Sequence, residues 1–314
     1  MTRSLLSLFD ISSEELSSIL QLIEGYKKKI TNREDLTSLQ STVLGLLFEK
    51  PSTRTRTGFE TAIHRLGGEA LYLQTDNLQA SRGEPIKDTA RVLGSYLDGI
   101  IARVYAHDTL CQLEKYAAIP VINALSDLEH PTQVISDIFT LRELKHDLSG
   151  LTLAYIGDGN NVCNSLIIGT ALTGIQMRIA CPKGYEPHAE IIQRARALQE
   201  DSGASLSITR EPSEAALEAD VLYTDVWVSM GKEKEQGKRL RDFRGYQINE
   251  DLVKKASPDA IAMHCLPAHR GLEITDEVIE GSQSVVWQQA ENKLHGAAGI
   301  LAFFIHPKRG VKNP

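Results

Sequence analysis

Short apolar runs alternate with amphipathic stretches along most of the chain. The apolar runs lie at 43–49, 70–74, 99–104, 120–125, 151–157, 177–182, 205–210, 221–228, 260–267 and 284–289. Helical spacing of apolar residues appears between them, at 12–29, 57–68, 189–203 and 249–256. Strands that alternate with helices are typical of parallel α/β architecture. We therefore predict an α/β protein with two doubly wound parallel-sheet domains.

A predicted helix over 131–146, followed by the polar turn at 147–150, separates two groups of strands. This pattern places the first domain at 1–146 and the second at 147–289. The last segment, 290–314, has helical spacing again and is expected to pack back on the first domain. Ligands of open parallel sheets bind outside the carboxyl ends of the strands. We therefore expect a ligand site in a cleft between the two domains.

Composition indicates a folded soluble chain. The 314 residues are 42% apolar and 24% charged, and the length suits two domains. No apolar run reaches the roughly 18 residues of a membrane span, and no secretory signal is visible at the start. The net charge of −7 disfavours nonspecific nucleic-acid binding but permits a local basic pocket for a small anion. We expect a cytoplasmic protein that binds neither nucleic acid nor membranes.

Neither a metal nor a cofactor is predicted. The four cysteines lack C-x-x-C spacing, which favours reduced thiols over disulfides or a zinc site. His264, His269 and His295 do not have the spacing of a metal centre. The GDGNN segment at 157–161 follows a predicted strand, but Val162 stands where a dinucleotide fingerprint needs its third glycine. A dehydrogenase is therefore a weak alternative.

The sequence at 48–62, FEKPSTRTRTGFETA, lies where a predicted strand ends and a helix begins. A helix start favours an anion through its unpaired N–H groups and its dipole. Nearby hydroxyls and the planar fork of Arg54 suit phosphate oxygens. Arg56 is two positions further on and would point to the other side, so we assign it to structural pairing. An ordinary capped helix start remains the alternative.

Three further segments carry chemistry-bearing residues: HPTQ at 130–133, DVWVSMG at 225–231 and HCLP at 264–267. Each alone has a plain interpretation, such as a proline-initiated helix, a loop cap or a buried cysteine. With the STRTR segment at 52–56, and in this order, they resemble the motifs of the aspartate/ornithine carbamoyltransferase family, in its ornithine branch. The resemblance runs from about Leu5 to the final helix.

The resemblance implies that the first domain binds carbamoyl phosphate. The implied phosphate ligands are Ser52, Thr53, Arg54 and Thr55, with Thr55 also near the carbonyl. Arg103 would span phosphate and carbonyl, His130 would donate to the carbonyl oxygen, and Gln133 would accept from the carbamoyl NH₂. Gln79 matches a loop that reaches into a neighbouring subunit's site, which implies a homotrimer with shared active sites. A surface arginine and a flexible polar loop are the alternatives for Arg103 and Gln79.

The resemblance also implies that the second domain binds L-ornithine. Asn161 and the backbone of Met230 would bind the α-carboxylate, while Asp225 and Ser229 would bind the α-ammonium. Two residues of the HCLP segment lie at the reacting end. Cys265 would stand beside the δ-amine, paired with Asp225 and not acting as a covalent nucleophile, and the Leu266 carbonyl would receive the amine or carbamoyl NH. The implied catalytic residues are Arg103, His130 and Cys265.

One position departs from the family pattern. The family typically has Ala-Glu-Asn-Arg near its end, with the arginine reaching the carbamoyl group, whereas this chain has Ala-Glu-Asn-Lys at 290–293. Lysine keeps the charge but loses the planar fork. Lys293 is therefore the expected carbamoyl phosphate contact with weakened geometry, so either activity is lower or a neighbouring residue compensates.

The implied reaction moves the carbamoyl group from carbamoyl phosphate to the δ-amine of L-ornithine, giving L-citrulline and phosphate. This reaction belongs to arginine metabolism, biosynthesis or breakdown. A carbamoyltransferase for another amine, such as putrescine, is an alternative, although the loop at 229–231 favours a substrate with a carboxylate and an α-ammonium. A noncatalytic carbamoyl phosphate-binding subunit is a second alternative.

Overall fold

The computed structural model describes residues 3–74, 83–229 and 231–305. The chain divides into two compact units. Unit 1 comprises Met1–Phe139 and Asn292–Pro314, and unit 2 comprises Thr140–Glu291. Each unit is built around one parallel sheet, with four strands in unit 1 and five in unit 2. The predicted α/β class with two parallel sheets is confirmed.

The sheet of unit 1 has the strand order β2-β1-β3-β4. Its strands are β1 Val43–Phe48, β2 Glu69–Gln74, β3 Gly99–Arg103 and β4 Val121–Leu125. The helices that begin in this part of the chain are α1 Ser13–Thr31, α2 Thr53–Arg65, α3 Ile86–Tyr96, α4 His107–Ala117 and α5 Pro131–Lys145. The chain passes from β1 outward to β2 and then returns to place β3 on the other side. The strand order therefore reverses between β1 and β3, where ligands bind in folds of this type.

Unit 2 repeats this plan with the order β7-β6-β5-β8-β9. Its strands are β5 Thr152–Ile156, β6 Gln176–Ala180, β7 Ser205–Thr209, β8 Val221–Thr224 and β9 Ile261–His264. Its helices include α6 Asn161–Thr173, α7 Ala189–Ser202, α8 Pro212–Ala216, α9 Gln236–Asp242, α10 Glu250–Val253 and α11 Asp276–Ile279. Here the order reverses between β5 and β8. Nearly every residue of these two strands is buried, as expected of central strands covered on two faces.

The predicted strand at 284–289 is wrong. Ser284 makes only an isolated bridge to Ala262, and helix α12 begins two residues later and spans Val286–Phe304. Val286 and Gln289 are both buried, so burial already follows helical spacing where two consecutive valines had favoured a strand. Within the described ranges, none of the helices is long and apolar enough to cross a membrane. The end of α12 packs on α1, as expected for a C-terminal helix that returns to unit 1: a Cβ on Gly299 would lie 2.4 Å from Ile23.

Gly94 permits close contact between α3 and α4. A Cβ atom at this position would lie 1.9 Å from the carbonyl oxygen of Ala117, a backbone atom that cannot rotate away. We expect Gly94→Ala to lower the free energy of unfolding by about 2 to 3 kcal/mol, measured by urea denaturation. A Cβ added to Gly25 in α1 would meet no atom within 4 Å, so Gly25→Ala is the matched control. It should stabilise by about 0.5 to 1 kcal/mol, and equal effects of the two changes would contradict this packing argument.

Candidate active site

Polar side chains of unit 1 collect at the reversal point of its sheet. Phe48 at the end of β1 pairs with Arg103 at the end of β3. Arg103 is buried, and the chain after Phe48 runs through the STRTR segment into α2. The start of α2 and the Arg103 side chain therefore share the carboxyl edge of the two central strands. The sequence-based alternative of Arg103 as a surface loop residue does not fit this burial.

Helix α2 begins without the side-chain cap that its sequence suggests. Ser52 occupies the N-cap position in an extended conformation, yet in the described chain its hydroxyl makes no capping hydrogen bond. Ser12 at the start of α1 does cap, accepting from the Glu15 amide as half of a capping box. The α2 N–H groups that a cap would satisfy therefore remain able to bind an anion. Thr55, in the first turn, is buried on the same helix.

Arg54 and Arg56 have different surroundings, as predicted. The Arg56 Nε donates to Glu60 Oε2 at 3.3 Å, and its guanidinium lies 3.5 Å from the centre of the Tyr72 ring. Arg54 forms no ion pair within the described parts of the chain. It lines a cavity whose other lining residues are Thr55, Gly58, Phe59, Thr132, Ser136, Lys293 and Ala297. The structural pairing assigned to Arg56 is confirmed, and Arg54 is left available for a ligand.

His130 precedes α5 and is buried in unit 1. Burial is the main cause that holds its pKa well below the usual value, and the positive charges of Lys293 and Arg103 lower the pKa further. Because its pKa lies below the ordinary histidine range, the imidazole is neutral at pH 7. A neutral imidazole has one donor and one acceptor nitrogen, so His130 can donate a hydrogen bond to a carbonyl oxygen without carrying a charge.

The Gln133 side chain is held at both ends of its amide. Lys293 Nζ donates to Gln133 Oε1 at 2.6 Å, and Gln133 Nε2 donates to Asp137 Oδ1 at 2.8 Å. These contacts fix which end of the amide faces Lys293. A carbonyl oxygen has two lone pairs, so Oε1 can accept a second hydrogen bond. Sequence reasoning missed Asp137, although its position one helical turn after Gln133 on α5 could have indicated the contact.

In unit 2, two polar side chains meet at the ends of the neighbouring strands β8 and β9, beside the reversal point between β5 and β8. Asp225 follows β8, and Cys265 follows β9. Cys265 Sγ donates to Asp225 Oδ1 at 3.0 Å, and the Val226 amide donates to the same oxygen at 2.8 Å. The predicted pairing of Cys265 with Asp225 is present. A buried carboxylate with fixed oxygens is suited to a cationic ligand.

Asn160 is a site residue that sequence reasoning missed. Its Nδ2 donates to Asp225 Oδ2 at 2.7 Å, while its Oδ1 caps α6 by accepting from the Val162 and Cys163 amides. One asparagine thus joins the end of β5 to the carboxylate after β8. The available signal was an asparagine directly before a helical pattern, which is typical of an N-cap. The next residue, Asn161, is half-buried and begins α6.

The segment that carries Ser229 is tied to α9 by a buried arginine. Arg239 Nη1 donates to Asp158 Oδ2 at 2.7 Å and to the Trp227 carbonyl at 2.9 Å. Burial raises the pKa of Asp158, and the Arg239 charge acts against that increase. Ser229 is half-buried two residues beyond Trp227. Met230 and Gln79, which the resemblance assigns to the site, lie outside the described residues.

The only side chains of the described residues that group as possible metal ligands are Asp225, His264 and Cys265, whose ligand atoms lie within 4.8 Å of one another. Both ring nitrogens of His264 are already engaged. Nδ1 accepts from the Leu266 amide at 2.8 Å, and Nε2 lies 3.2 Å from Glu273 Oε1. A metal ion would have to displace one of these contacts, so we do not assign these residues as metal ligands.

Two groups of side chains therefore stand at the two reversal points. In unit 1 the cationic Arg54, Arg103 and Lys293 lie with the neutral His130, which suits an anion that carries a carbonyl group. In unit 2 the Asp225 carboxylate and the Cys265 thiol suit a ligand with an amine. Together these features define a two-unit α/β protein of the class that binds small polar substrates at strand ends.

Comparisons with known proteins agree with this class. Residues 3–143 match the family description "Aspartate/ornithine carbamoyltransferase, carbamoyl-P binding domain". Residues 149–304 match "Aspartate/ornithine carbamoyltransferase, Asp/Orn binding domain". The chain belongs to the aspartate/ornithine carbamoyltransferase family.

Individual relatives are similar over nearly their whole length. An ornithine carbamoyltransferase from Methanosarcina mazei is 52% identical over 301 residues, which is 96% of this chain and 98% of that protein. A catabolic ornithine carbamoyltransferase from Thermoplasma acidophilum is 49% identical, with 95% and 97% covered. The solved structure of ornithine carbamoyltransferase from Pyrococcus furiosus superimposes with a TM-score of 0.94 at 47% identity, covering 97% of each chain.

Proposed function

We propose that this chain transfers the carbamoyl group of carbamoyl phosphate to the δ-amine of L-ornithine, giving L-citrulline and phosphate. The family and the names of the similar proteins support this reaction. The observation that carries it is the contact of 3.0 Å between Cys265 and Asp225 at the ends of β9 and β8. This pair offers a negative charge for the α-ammonium of ornithine and a thiol beside its δ-amine.

Carbamoyl phosphate binding is assigned to unit 1. The phosphate group of carbamoyl phosphate lies at the start of α2, where the proposed ligands are Ser52, Thr53, Arg54 and Thr55. The uncapped start of this helix favours a dianion, and so does the Arg54 guanidinium, which forms no ion pair among the residues that the structure describes. Arg103 spans the phosphate and the carbonyl oxygen. The phosphate is thereby held as the leaving group.

The carbonyl group is polarised by neighbouring donors. His130 donates one hydrogen bond to the carbonyl oxygen as a neutral imidazole, and Arg103 adds a charged donor. These donors stabilise the negative charge that develops on this oxygen when the amine attacks. Gln133 accepts from the carbamoyl NH₂ with the second lone pair of Oε1, since Lys293 already donates to that atom. The carbamoyl group is thereby fixed in one orientation.

Ornithine binding is assigned to unit 2. Asn161 and the backbone of Met230 bind the α-carboxylate, and Asp225 and Ser229 bind the α-ammonium. The δ-amine lies beside Cys265, and the Leu266 carbonyl accepts a hydrogen bond from the amine or the carbamoyl NH. Attack on the carbamoyl carbon requires the uncharged amine. Its N–C bond forms as the C–O bond to phosphate breaks, and the departing phosphate takes up the released proton.

The same resemblance supports proposals about the setting of the enzyme. We place it in arginine metabolism, with the direction set by kinetics and metabolite concentrations. We propose a cytoplasmic homotrimer in which Gln79 of one subunit contributes to a neighbouring subunit's site. Sedimentation equilibrium of the purified chain would test the trimer, and a monomer at micromolar concentration would contradict it.

Lys293 provides a direct test of the carbamoyl phosphate site. The Lys293 ammonium already donates one hydrogen bond to Gln133 Oε1. An arginine at this position could donate to Gln133 Oε1 and to the substrate carbonyl at the same time, because its guanidinium is a planar fork. We expect Lys293→Arg to raise kcat/KM for carbamoyl phosphate about fivefold. Lys293→Met should lower it about 30-fold, because a charged donor is lost. Steady-state rates of citrulline formation measure both changes, and a lower value for the arginine variant would contradict the assigned contact.

The substrate is tested by initial rates with four amines: ornithine, putrescine, N-acetylornithine and aspartate, each with saturating carbamoyl phosphate. The proposal predicts the highest kcat/KM for ornithine, because putrescine lacks the groups that Asn161, Asp225 and Ser229 recognise. N-acetylornithine retains the carboxylate but loses the ammonium, so it separates these two contributions. A higher value for putrescine than for ornithine would contradict the proposed substrate.

A further inference from the structure

A chain of hydrogen bonds leads from the HCLP segment into the core of unit 2. The Leu266 amide donates to His264 Nδ1 at 2.8 Å, and His264 Nε2 lies 3.2 Å from Glu273 Oε1. An amide N–H can only donate, so Nδ1 must be the unprotonated nitrogen. The proton of the neutral ring is then on Nε2, which donates to Glu273. The backbone of Leu266 and the carboxylate of Glu273 together select one tautomer of His264.

Glu273 is fully buried and is fixed in turn. Its Oε1 also accepts from the His269 amide at 2.6 Å, and the Ile248 amide donates to its backbone carbonyl at 2.9 Å. Burying a carboxylate is unfavourable unless nearby donors compensate for lost water. Here the donors come from the two ends of the segment 264–269. Glu273 thus connects the last residue of β9 with the loop beyond the HCLP segment.

The hydrogen bond from the Leu266 amide to His264 constrains Leu266 and Cys265, the two residues that the proposed function places beside the δ-amine of ornithine. Leu266 has a φ of 59°, a left-handed conformation that costs about 1 kcal/mol for a residue with a side chain. The bond from its amide to His264 stabilises that conformation, which sets the direction of the Leu266 carbonyl. Cys265 lies between His264 and Leu266, so the same bond also limits where its thiol can point.

We propose that Glu273, acting through His264, is a positioning residue that fixes the Leu266 carbonyl and the Cys265 thiol for carbamoyl transfer. The proposal rests on the function proposed above. It assigns a role to an acidic residue outside the four recognised motifs. Glu273 touches neither substrate, so its removal should act on kcat more than on the binding of carbamoyl phosphate.

The first test compares Glu273→Leu with Glu273→Gln. Leucine removes the oxygen that accepts from His264 and His269, and we expect kcat to fall about 100-fold, the effect of a small displacement of reacting groups. Glutamine keeps an oxygen that can accept from His264 and His269, so kcat should stay within about fivefold of the native value. Asp220→Leu is the matched control, because Asp220 accepts from the Thr152 amide at the amino ends of β5 and β8. Its kcat should stay within about twofold, whatever its loss of stability.

The second test does not depend on activity. Hydrogen exchange of the Leu266 amide, followed by NMR on the free protein, should be about tenfold faster in Glu273→Leu and unchanged in Asp220→Leu. If the native chain forms no citrulline, the proposed function fails, and the exchange rate alone decides whether Glu273 positions Leu266. Unchanged exchange, or faster exchange with native kcat, would overturn the inference.

A substitution of His264, the other partner of this contact, tests the proposal even if Glu273→Leu does not fold. His264→Asn keeps an acceptor oxygen near Leu266 but loses the link to Glu273. We expect it to lower kcat, and we expect Glu273→Leu to cause little further loss in that background. Independent, additive losses from the two changes would contradict a single positioning chain.

Discussion

Replacing Arg54 by alanine is expected to lower kcat/KM for carbamoyl phosphate about a thousandfold, because charged donors to a dianionic phosphate are lost at a helix start. The structure supports this size of effect. Arg54 lines the cavity at α2 and forms no ion pair among the described residues, so its positive charge is not already neutralised. Arg54→Lys should recover part of the loss, since the charge returns without the planar fork. The initial rate of citrulline formation at varied carbamoyl phosphate concentration gives kcat/KM for the native chain, Arg54→Ala and Arg54→Lys.

Arg56→Ala is the matched control for this prediction. Arg56 lies two residues away and is engaged with Glu60 and the Tyr72 ring. We expect its removal to cost about 1 kcal/mol of stability and to leave kcat/KM within about threefold. Equal losses of activity in the two alanine variants would show that the two arginines have been wrongly distinguished.

The second large effect is expected at Asp225. Asp225→Asn should lower kcat/KM for ornithine about a thousandfold and leave carbamoyl phosphate binding within about threefold. The carboxylate oxygens accept from Cys265, Val226 and Asn160. An asparagine side chain would lose the negative charge and would also turn an NH₂ group toward one of these donors. The ornithine dependence of the initial rate measures the loss.

An exposed aspartate provides the comparison. Asp251 pairs with Lys254 at 2.9 Å, and its side chain is 88% exposed, so Asp251→Asn should leave both kinetic constants unchanged. An unaltered ornithine KM in Asp225→Asn would remove Asp225 from the amine site. The prediction for ornithine is thus separable from a general effect of losing an acidic residue.

Much of the fold could be predicted from the sequence because buried parallel strands are continuous apolar runs. Strands β1 and β5 are clear examples, with nearly every residue buried. The run at 284–289 was misleading because its consecutive valines satisfy a helix as well as a strand. The burial of Val286 and Gln289, which are three positions apart, identifies this segment as a helix.

The site was predictable where its chemistry lies within short segments. The separation of Arg54 from Arg56 followed from helix geometry alone. Asp137, Asn160 and Glu273 were missed because they act through contacts with other side chains. The Asn160 amide meets Asp225 across 65 positions in the sequence, and such a contact depends on the strand order β5-β8. Single-sequence periodicity carries no information about that order.

We propose that the start of α2 in unit 1 is a carbamoyl phosphate site built around Arg54, and the other assignments depend on this site. Titration calorimetry of the purified full chain with carbamoyl phosphate, without ornithine, tests it most directly. We expect saturable binding that Arg56→Ala retains and Arg54→Ala loses. Absence of binding to the native chain, or equal binding by the two alanine variants, would contradict it.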